Sequence, residues 1–138
     1  MKKRMIIGLM VGLLVSGFLM TGCTSPSVDD LQGAWQLTSW TDASDFPTSP
    51  ITLEFDGTQV NGQLPCNSYF GAAEIDGKKI SFPPMATTRM ACLDLSEADD
   101  AAEMRYPQLL EDITSWKIVR GELILSTDGS ETLRFSRA

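Results

Sequence analysis

The sequence predicts an α+β protein that is mostly β: an antiparallel small barrel or curved sheet of about eight strands, with one helix packed at its end. Short runs of alternating apolar and polar residues are separated by residue pairs that favour tight turns, which is typical of consecutive hairpins. One acidic segment near the C-terminus has helical rather than strand character. The length of 31–138 is usual for one domain, and no internal repeat divides it.

The first strand is predicted at Ala34–Trp40, where Trp35 and Leu37 share one face and Trp40 lies on the other. The later strands are predicted at Ile51–Phe55, Gln59–Leu64, Ser68–Ile75, Lys79–Phe82, Thr114–Val119, Glu122–Ser126 and Glu131–Phe135. The predicted turns are Asp56-Gly57, Asn61-Gly62, Asp76-Gly77, Arg120-Gly121 and Asp128-Gly129, because Gly and Asn tolerate the positive φ of tight turns.

The segment Ser96–Ile113 predicts the helix. It begins with a residue suited to the N-cap, and acidic residues follow in the first turn, where the helix dipole favours negative charge. Its apolar residues Met104, Leu109 and Ile113 have helical spacing. Pro107 lies within it, so we expect a kink there or a second helical piece that starts nearby.

The N-terminus resembles an export signal, with Lys2, Lys3 and Arg4 before an uncharged run from Met5 to Met20. That run is shorter than the roughly 20 apolar residues that cross a bilayer. We therefore expect residues 1–22 to be removed as a lipoprotein signal peptide, with a permanent transmembrane anchor as the alternative.

The stretch LMTGC, Leu19–Cys23, resembles the bacterial lipobox, although Met20 stands where Leu is usual. The resemblance implies that Cys23 becomes the new N-terminus and carries acyl chains such as palmitate, and that residues 23–30 are the lipidated Cys and a polar tether. Two or three acyl chains suffice for stable membrane anchoring. The alternative is ordinary signal cleavage that leaves Cys23 as a free thiol.

This anchor places the protein in the cell envelope. Thr24 follows the Cys where an Asp would retain an enteric lipoprotein in the inner membrane, so we expect the outer membrane, facing the periplasm, if the host is Gram-negative. If the host is of another type, a location on the cell surface is an equal alternative.

The charge of the chain argues against nucleic acid as a partner. Removal of residues 1–22 takes away three basic residues and no acidic one, so the formal net charge changes from -7 to -10. The mature chain therefore has no basic stripe to neutralise phosphates. The same charge repels an anionic lipid surface, which leaves membrane attachment to the acyl chains.

Two further cysteines, Cys66 and Cys92, lie 26 positions apart. Once export is accepted, their compartment is oxidising, so a structural disulfide is the first expectation. The competing interpretation is a redox pair, but such pairs usually form a CxxC motif, which the sequence lacks.

Three stretches resemble the META domain, the family of the HslJ heat-shock protein: GAWQL from Gly33, LPCNSYFGA from Leu64 and MATTRMAC from Met85. An acidic helix and a final hairpin follow in the same order as in the family, and Pro65 stands where Gly usually precedes the first Cys. The resemblance implies a compact β-rich fold that is often found in envelope lipoproteins. It also implies a link to stress and drug tolerance, and it implies no known reaction.

The absence of His removes the commonest general base and the commonest neutral metal ligand, so we expect no enzyme, cofactor or metal site. Ser-Lys and paired-carboxylate chemistry remain open in principle, without a supporting motif. An acidic cluster, Asp94, Glu97, Asp99 and Asp100, raises a calcium hypothesis. It lacks the spacing of a calcium loop, so a solvated helix start is the better interpretation.

Two side chains are candidates for binding. Trp40 is expected to be exposed before the polar loop 41–49, and Arg89 is placed to bind an anion, unless a local carboxylate pairs with it. The favoured hypothesis is a non-enzymatic envelope module that binds a protein, peptide or small hydrophobic molecule. The alternative is a structural or assembly factor that acts through a protein complex.

Overall fold

The computed structural model describes residue 22 and residues 25–41 and 45–138. Within these ranges, a short 3-10 helix at Val28–Leu31 precedes ten strands and one α-helix. The strands are β1 Gly33–Trp40, β2 Thr52–Asp56, β3 Gln59–Gln63, β4 Ser68–Ala72, β5 Glu74–Asp76, β6 Lys79–Ser81, β7 Ala86–Thr87, β8 Ser115–Val119, β9 Glu122–Thr127 and β10 Ser130–Arg137, and the helix is α1 Glu97–Glu111. Cys23 lies outside the described residues, as does nearly all of the predicted signal segment, so both stay predictions.

All ten strands form one antiparallel sheet in the order β5-β6-β8-β9-β10-β1-β2-β3-β4-β7, and the sheet curls into a half-barrel. This confirms the predicted α+β, mostly β class. The number of strands is ten rather than about eight. The central strands β10, β1 and β2 bring Trp35, Leu53 and Phe135 into the core, where each is fully buried.

The two additional strands arise from packing near β4. The predicted strand Ser68–Ile75 is divided at Ala73, which is buried and whose N–H donates to the carbonyl of Thr58 at 2.8 Å. The other addition, β7, pairs with β4 through Ala86 and Thr87. Gly71 in β4 lets Met85 approach closely, because a Cβ at that position would overlap the Met85 sulfur. The alternation of apolar and polar residues in the sequence shows neither the Ala73 hydrogen bond nor the approach of Met85.

Four of the five predicted turns occur, with the glycines at 57, 77, 121 and 129 in the left-handed region. The turn predicted at Asn61-Gly62 is wrong, since both residues lie inside β3. Gly62 is needed there because a Cβ would overlap the carbonyl oxygen of Thr52 and the ring of Tyr69. Its role is close packing rather than a positive φ.

Helix α1 begins where the sequence predicts. Ser96 is the N-cap, and its Oγ accepts the Asp99 N–H at 3.1 Å. The helix runs past Pro107 to Glu111 as one element, so of the two expectations the second helical piece is absent from the described chain, and the kink stays a prediction. Its buried face consists of Asp99, Ala102, Tyr106 and Leu110. No helix in the described ranges is long and apolar enough to cross a membrane.

Candidate binding groove

A disulfide joins the connection between β3 and β4 to the segment after β7. Cys66 and Cys92 are bonded, with their Cα atoms 5.9 Å apart. The pair expected from the sequence is therefore present. It attaches the irregular segment 88–95 to the sheet at the point where β4 begins, and this attachment positions Arg89 and Met90.

Asn67 connects three parts of the chain at this point. Its Nδ2 donates to Glu103 Oε2 at 3.0 Å, and its Oδ1 accepts the Met90 N–H at 2.8 Å and the Thr88 hydroxyl at 3.0 Å. Glu103, on α1, also accepts the backbone N–H groups of Cys66 and Asn67. Both the oxygen and the nitrogen of the Asn67 side-chain amide are hydrogen-bonded. The helix, the disulfide loop and the segment after β7 therefore hold one another in place.

These elements enclose a groove with a volume of about 500 Å³, here called the Met90 groove. Its lining residues are Leu64, Asn67, Thr87, Thr88, Arg89, Met90, Glu103 and Met104. The methionine side chains are strongly exposed, Met90 at 60% and Met104 at 70%. Leu93, at 82%, follows on the same segment, and Phe70, at 55%, pairs with Ala86 across the adjoining strands. Met90 and Met104 are two of the six large apolar side chains that the described chain exposes, and both line this groove.

Arg89 lies in the groove wall. Among the described residues it forms no hydrogen bond and no ion pair, so the local carboxylate partner considered as an alternative is not found there. Its guanidinium group is exposed. An exposed planar cation with five N–H donors is suited to bind a carboxylate or phosphate, and apolar contacts are available beside it.

The expectation that Trp40 is exposed is wrong. Its side chain is 5% exposed, packs edge-on against Phe46 with ring centroids 5.8 Å apart, and has the Arg105 guanidinium 5.3 Å from its ring. The reason is an irregularity in β1, where the pairing with β10 shifts between Leu37 and Ser39. One extra residue at a bulge reverses the alternation, so Trp40 returns to the face that also carries Trp35.

In the described chain, the carboxylates of the acidic cluster at the helix start are not gathered around one point. Asp99 is buried and accepts hydrogen bonds from the backbone and hydroxyl groups of Thr48 and Ser49. Within the described ranges, no group of three or more Cys, Asp or Glu side chains is arranged to hold a metal ion. Asp99 instead ties the loop between β1 and β2 to the helix.

Two tyrosines lie beneath the groove side of the sheet. The hydroxyls of Tyr69 and Tyr106 are 2.9 Å apart, and Tyr69 also donates to the Thr52 carbonyl at 2.6 Å. Burial raises the pKa of both hydroxyls above that of a free tyrosine. Both therefore stay neutral at physiological pH, and their hydrogen bonds join the helix to the sheet.

Two other hollows lie away from the Met90 groove, and their walls are more apolar than the walls of that groove. One, of about 400 Å³, lies beside the hairpin of β5 and β6 and carries the charges of Glu74, Asp76 and Lys79. Charged side chains of this kind are usual protection for an edge strand. The second, of about 340 Å³, lies beside Pro26 and Arg137, next to the start of the domain.

Sequence reasoning identified Arg89 and the disulfide but missed Asn67, Glu103, Met90 and Met104. Asn67 directly follows Cys66 in a recognisable stretch, which was the available signal. The helical spacing placed Met104 on the buried face of the helix. In the structure, Ala102 and Tyr106 occupy the buried face, and Met104 is exposed. The two methionines line one groove because the disulfide and Asn67 hold segment 88–95 near α1.

Comparisons with known proteins agree with this architecture. The family model of the META domain matches residues 29–138. An NMR structure of a protein from Burkholderia xenovorans is 27% identical, with a TM-score of 0.64, and the match covers 78% of this chain and 83% of that chain. A second NMR structure of a protein, 17% identical with a TM-score of 0.57, covers 77% and 89% and shares the fold alone. No curated protein matches this chain.

Proposed function

The chain belongs to the META domain family, and from that premise we propose that it is a non-enzymatic binding module of the cell envelope, anchored through an acylated Cys23. Its site is the Met90 groove, and its occupant is a polypeptide segment with an apolar side chain and an acidic group. We place its role in envelope stress or drug tolerance, as the likeness to the heat-shock member implies. The outer membrane, facing the periplasm, is the proposed location.

The observation that carries this proposal is the exposure of Met90 and Met104 across one concave surface. Apolar side chains of this size are normally buried, and a patch of them on a small domain favours a partner. Methionine is flexible and polarizable, so it adapts to different apolar side chains. The two methionines supply apolar contact beside the polar groups of Asn67, Thr88 and Arg89.

The rigidity of the groove supports binding rather than a loose surface. Asn67, Glu103 and the disulfide fix the backbone on both sides of the methionines. A site that is already ordered costs less conformational entropy when a partner binds. Only the side chains of Met90, Met104 and Arg89 would need to adjust.

A polypeptide fits better than a small molecule because the groove is open. It adjoins β7, which is one of the two edge strands of the sheet. In the pairing with β4, alternate backbone groups of β7 point away from the sheet, where an extended chain can reach them. A small hydrophobic molecule remains the alternative occupant.

Photocrosslinking in cells tests the proposal. A photoreactive amino acid is introduced at Met104, or at Thr58 as the control, since Thr58 is exposed at the opposite end of the sheet. We expect one discrete protein adduct from position 104 and none from position 58. Equal or absent adducts at both positions contradict a groove-specific protein partner.

Matched variants link the adduct to the groove. The double variant Met90→Gln with Met104→Gln keeps the side-chain lengths but removes apolar surface, and it should lose the adduct and fail to restore stress tolerance in cells that lack the gene. Arg89→Gln should weaken the adduct, whereas Lys117→Gln removes one cation from an exposed position of β8 and should not. A thermal-shift screen with antibiotics separates the alternative, because a compound that raises the Tm of the wild type but not of the double variant favours a small-molecule site.

The rival hypothesis is a structural or assembly factor that acts through a protein complex. It differs in where contact occurs, because a constitutive assembly would bury a large surface rather than one groove. Adducts from many exposed positions, unaffected by the methionine substitutions, would support that rival.

A further inference from the structure

The start of the domain is fixed firmly to one end of the sheet. Leu31 is fully buried, and its carbonyl accepts the Trp35 indole N–H at 2.8 Å. The Arg137 guanidinium lies 3.8 Å from the Trp35 ring and donates to the carbonyls of Asp30 and Gln32. The chain therefore leaves the domain at a defined point rather than from a flexible terminus.

The chain is already packed before the 3-10 helix begins. The Ser27 N–H donates to the Asp30 carboxylate at 2.6 Å, and Pro26 is half-buried against the hollow that Trp35 and Gly121 line. Three residue steps separate Cys23 from Pro26, which span at most about 11 Å when fully extended. An acylated Cys23 would hold this end of the sheet close to the bilayer surface.

Strand register shows which features share that end, here called the tether end. Gly33 pairs with Phe55, and the side chain of Gln32 exchanges two hydrogen bonds with the backbone of Gly57, so the turn between β2 and β3 lies beside the exit point. The turn at Arg120-Gly121 also lies there, because Gly121 lines the same hollow as Pro26.

The Met90 groove lies at the other end. Strand β3 starts at the tether end with Gln59, and its last residue Gln63 pairs with Ser68. Ser68 follows Cys66 and Asn67, and its carbonyl accepts the N–H of Thr88 at 2.9 Å. At about 3.4 Å per residue, four steps along β3 separate the two ends by roughly 14 Å before the loops are added.

We infer that the tether end is a membrane-facing surface that rests on phospholipid headgroups, so that the Met90 groove opens away from the bilayer. The inference rests on the proposed acylation of Cys23. Two exposed apolar side chains, Val28 at 38% and Val119 at 39%, lie on or beside this end, as does Arg120 at the tip of a turn. They are suited to the headgroup region, where apolar and cationic groups are both accommodated.

Charge does not set this orientation. The tether end also carries Asp29, Asp30 and Asp56, and the Arg137 guanidinium is already engaged by backbone carbonyls. It therefore has no excess of positive charge to attract anionic lipid. We expect the same orientation on zwitterionic and anionic vesicles and at low and high salt, because a short covalent tether is not screened by ions.

The experiment uses the full acylated protein, purified from cells and reconstituted in phosphatidylcholine vesicles that contain a nitroxide-headgroup lipid. A fluorescent amino acid replaces Gln59 in one variant and Gln63 in another, which is a matched pair because both are exposed on the same face of β3. Quenching at position 59 should exceed quenching at position 63 by about twofold or more, given their separation along the strand. Equal quenching, or stronger quenching at position 63, overturns the inference.

A variant with a lengthened tether tests whether the short tether causes the orientation. Inserting about 20 Gly and Ser residues after Ser25 gives a flexible chain with an end-to-end distance of roughly 25 Å, and the difference between the two labels should then disappear. A difference that survives the insertion overturns the role of the short tether. Mass analysis of the N-terminal peptide shows whether Cys23 is acylated, and an unmodified Cys23 overturns the inference together with the anchor. Crosslinking at Met104 tests the groove in either case.

Discussion

Replacing Asp99 with Asn tests how the helix is attached to the sheet. Asp99 is 4% exposed, and its carboxylate accepts four hydrogen bonds. Thr48 donates through its N–H and its hydroxyl, both at 2.8 Å, and Ser49 donates through its N–H at 2.9 Å and its hydroxyl at 2.8 Å. The two N–H groups share one carboxylate oxygen, and the two hydroxyls share the other.

The expected cost follows from the pKa of this group. Burial raises the pKa of Asp99, but the hydrogen bonds from Ser49 and Thr48 lower it by more. The net result is a pKa lowered from 3.8 to about 2. A difference of nearly two units corresponds to roughly 2 kcal/mol of stability at neutral pH. In asparagine, Oδ1 can still accept the two N–H groups, and the NH2 group can donate to the two hydroxyl oxygens. The substitution therefore removes the charge rather than the hydrogen bonds, and we expect Asp99→Asn to lower the free energy of unfolding by about 2 kcal/mol.

The effect depends on pH in a defined direction. Because the pKa of Asp99 is lower in the folded state than in the unfolded state, ionisation stabilises the fold above the unfolded pKa. That stabilisation declines as the pH falls from about 5 towards 2, where the folded protein also takes up the proton. The difference in stability between the wild type and the Asn variant should therefore shrink over this pH range.

Urea unfolding followed by tryptophan fluorescence measures both quantities. The control is Asp100→Asn, which makes the same chemical change at the next helical position, where the side chain is exposed. The control should lie within about 0.5 kcal/mol of the wild type, as is usual for surface substitutions. If Asp99→Asn is equally mild at pH 7, or if its effect does not change between pH 5 and 2, the carboxylate does not stabilise the fold in the way described.

Two further predictions concern residues that shape the fold around the groove. The double variant Cys66→Ser with Cys92→Ser opens a loop of 26 residues and should lower the free energy of unfolding by about 3.5 kcal/mol, measured with urea; a loss below about 1 kcal/mol would contradict a structural role. Gly62→Ala should cost about 2 kcal/mol or more, because the added methyl overlaps the backbone of Thr52. Gly77→Ala is its control, since open space surrounds that position and only the positive φ opposes the change, at about 1 kcal/mol; the reasoning fails if Gly77→Ala is the more damaging of the two.

The sequence was most informative where structure depends on near neighbours along the chain. The pairs Asp56-Gly57 and Asp76-Gly77 mark hairpins because the turn itself requires a positive φ. Ser96 marks the helix start because its hydroxyl satisfies a backbone N–H three residues later. These relations need no knowledge of the rest of the fold, so pattern and structure agree.

The sequence was least informative where two distant segments share a contact. Asn61-Gly62 has the pattern of a turn, but the approach of Tyr69 and Thr52 makes Gly62 a packing position inside a strand. The alternation around Trp40 is regular in sequence, and only the partner strand β10 reveals the bulge that turns the indole inward.

By itself, the sequence determined the mostly β class, the hairpin turns, the helix start and the pair of cysteines suited to an oxidising compartment, because each depends on local backbone preference or on composition. Only the tertiary structure decided that Met90 and Met104 line one groove, that Asn67 and Glu103 fix the segments that carry them, and that the groove and the start of the domain lie at opposite ends of the sheet. Those features follow from strand register and from one disulfide across 26 positions. Neither is encoded in a local pattern.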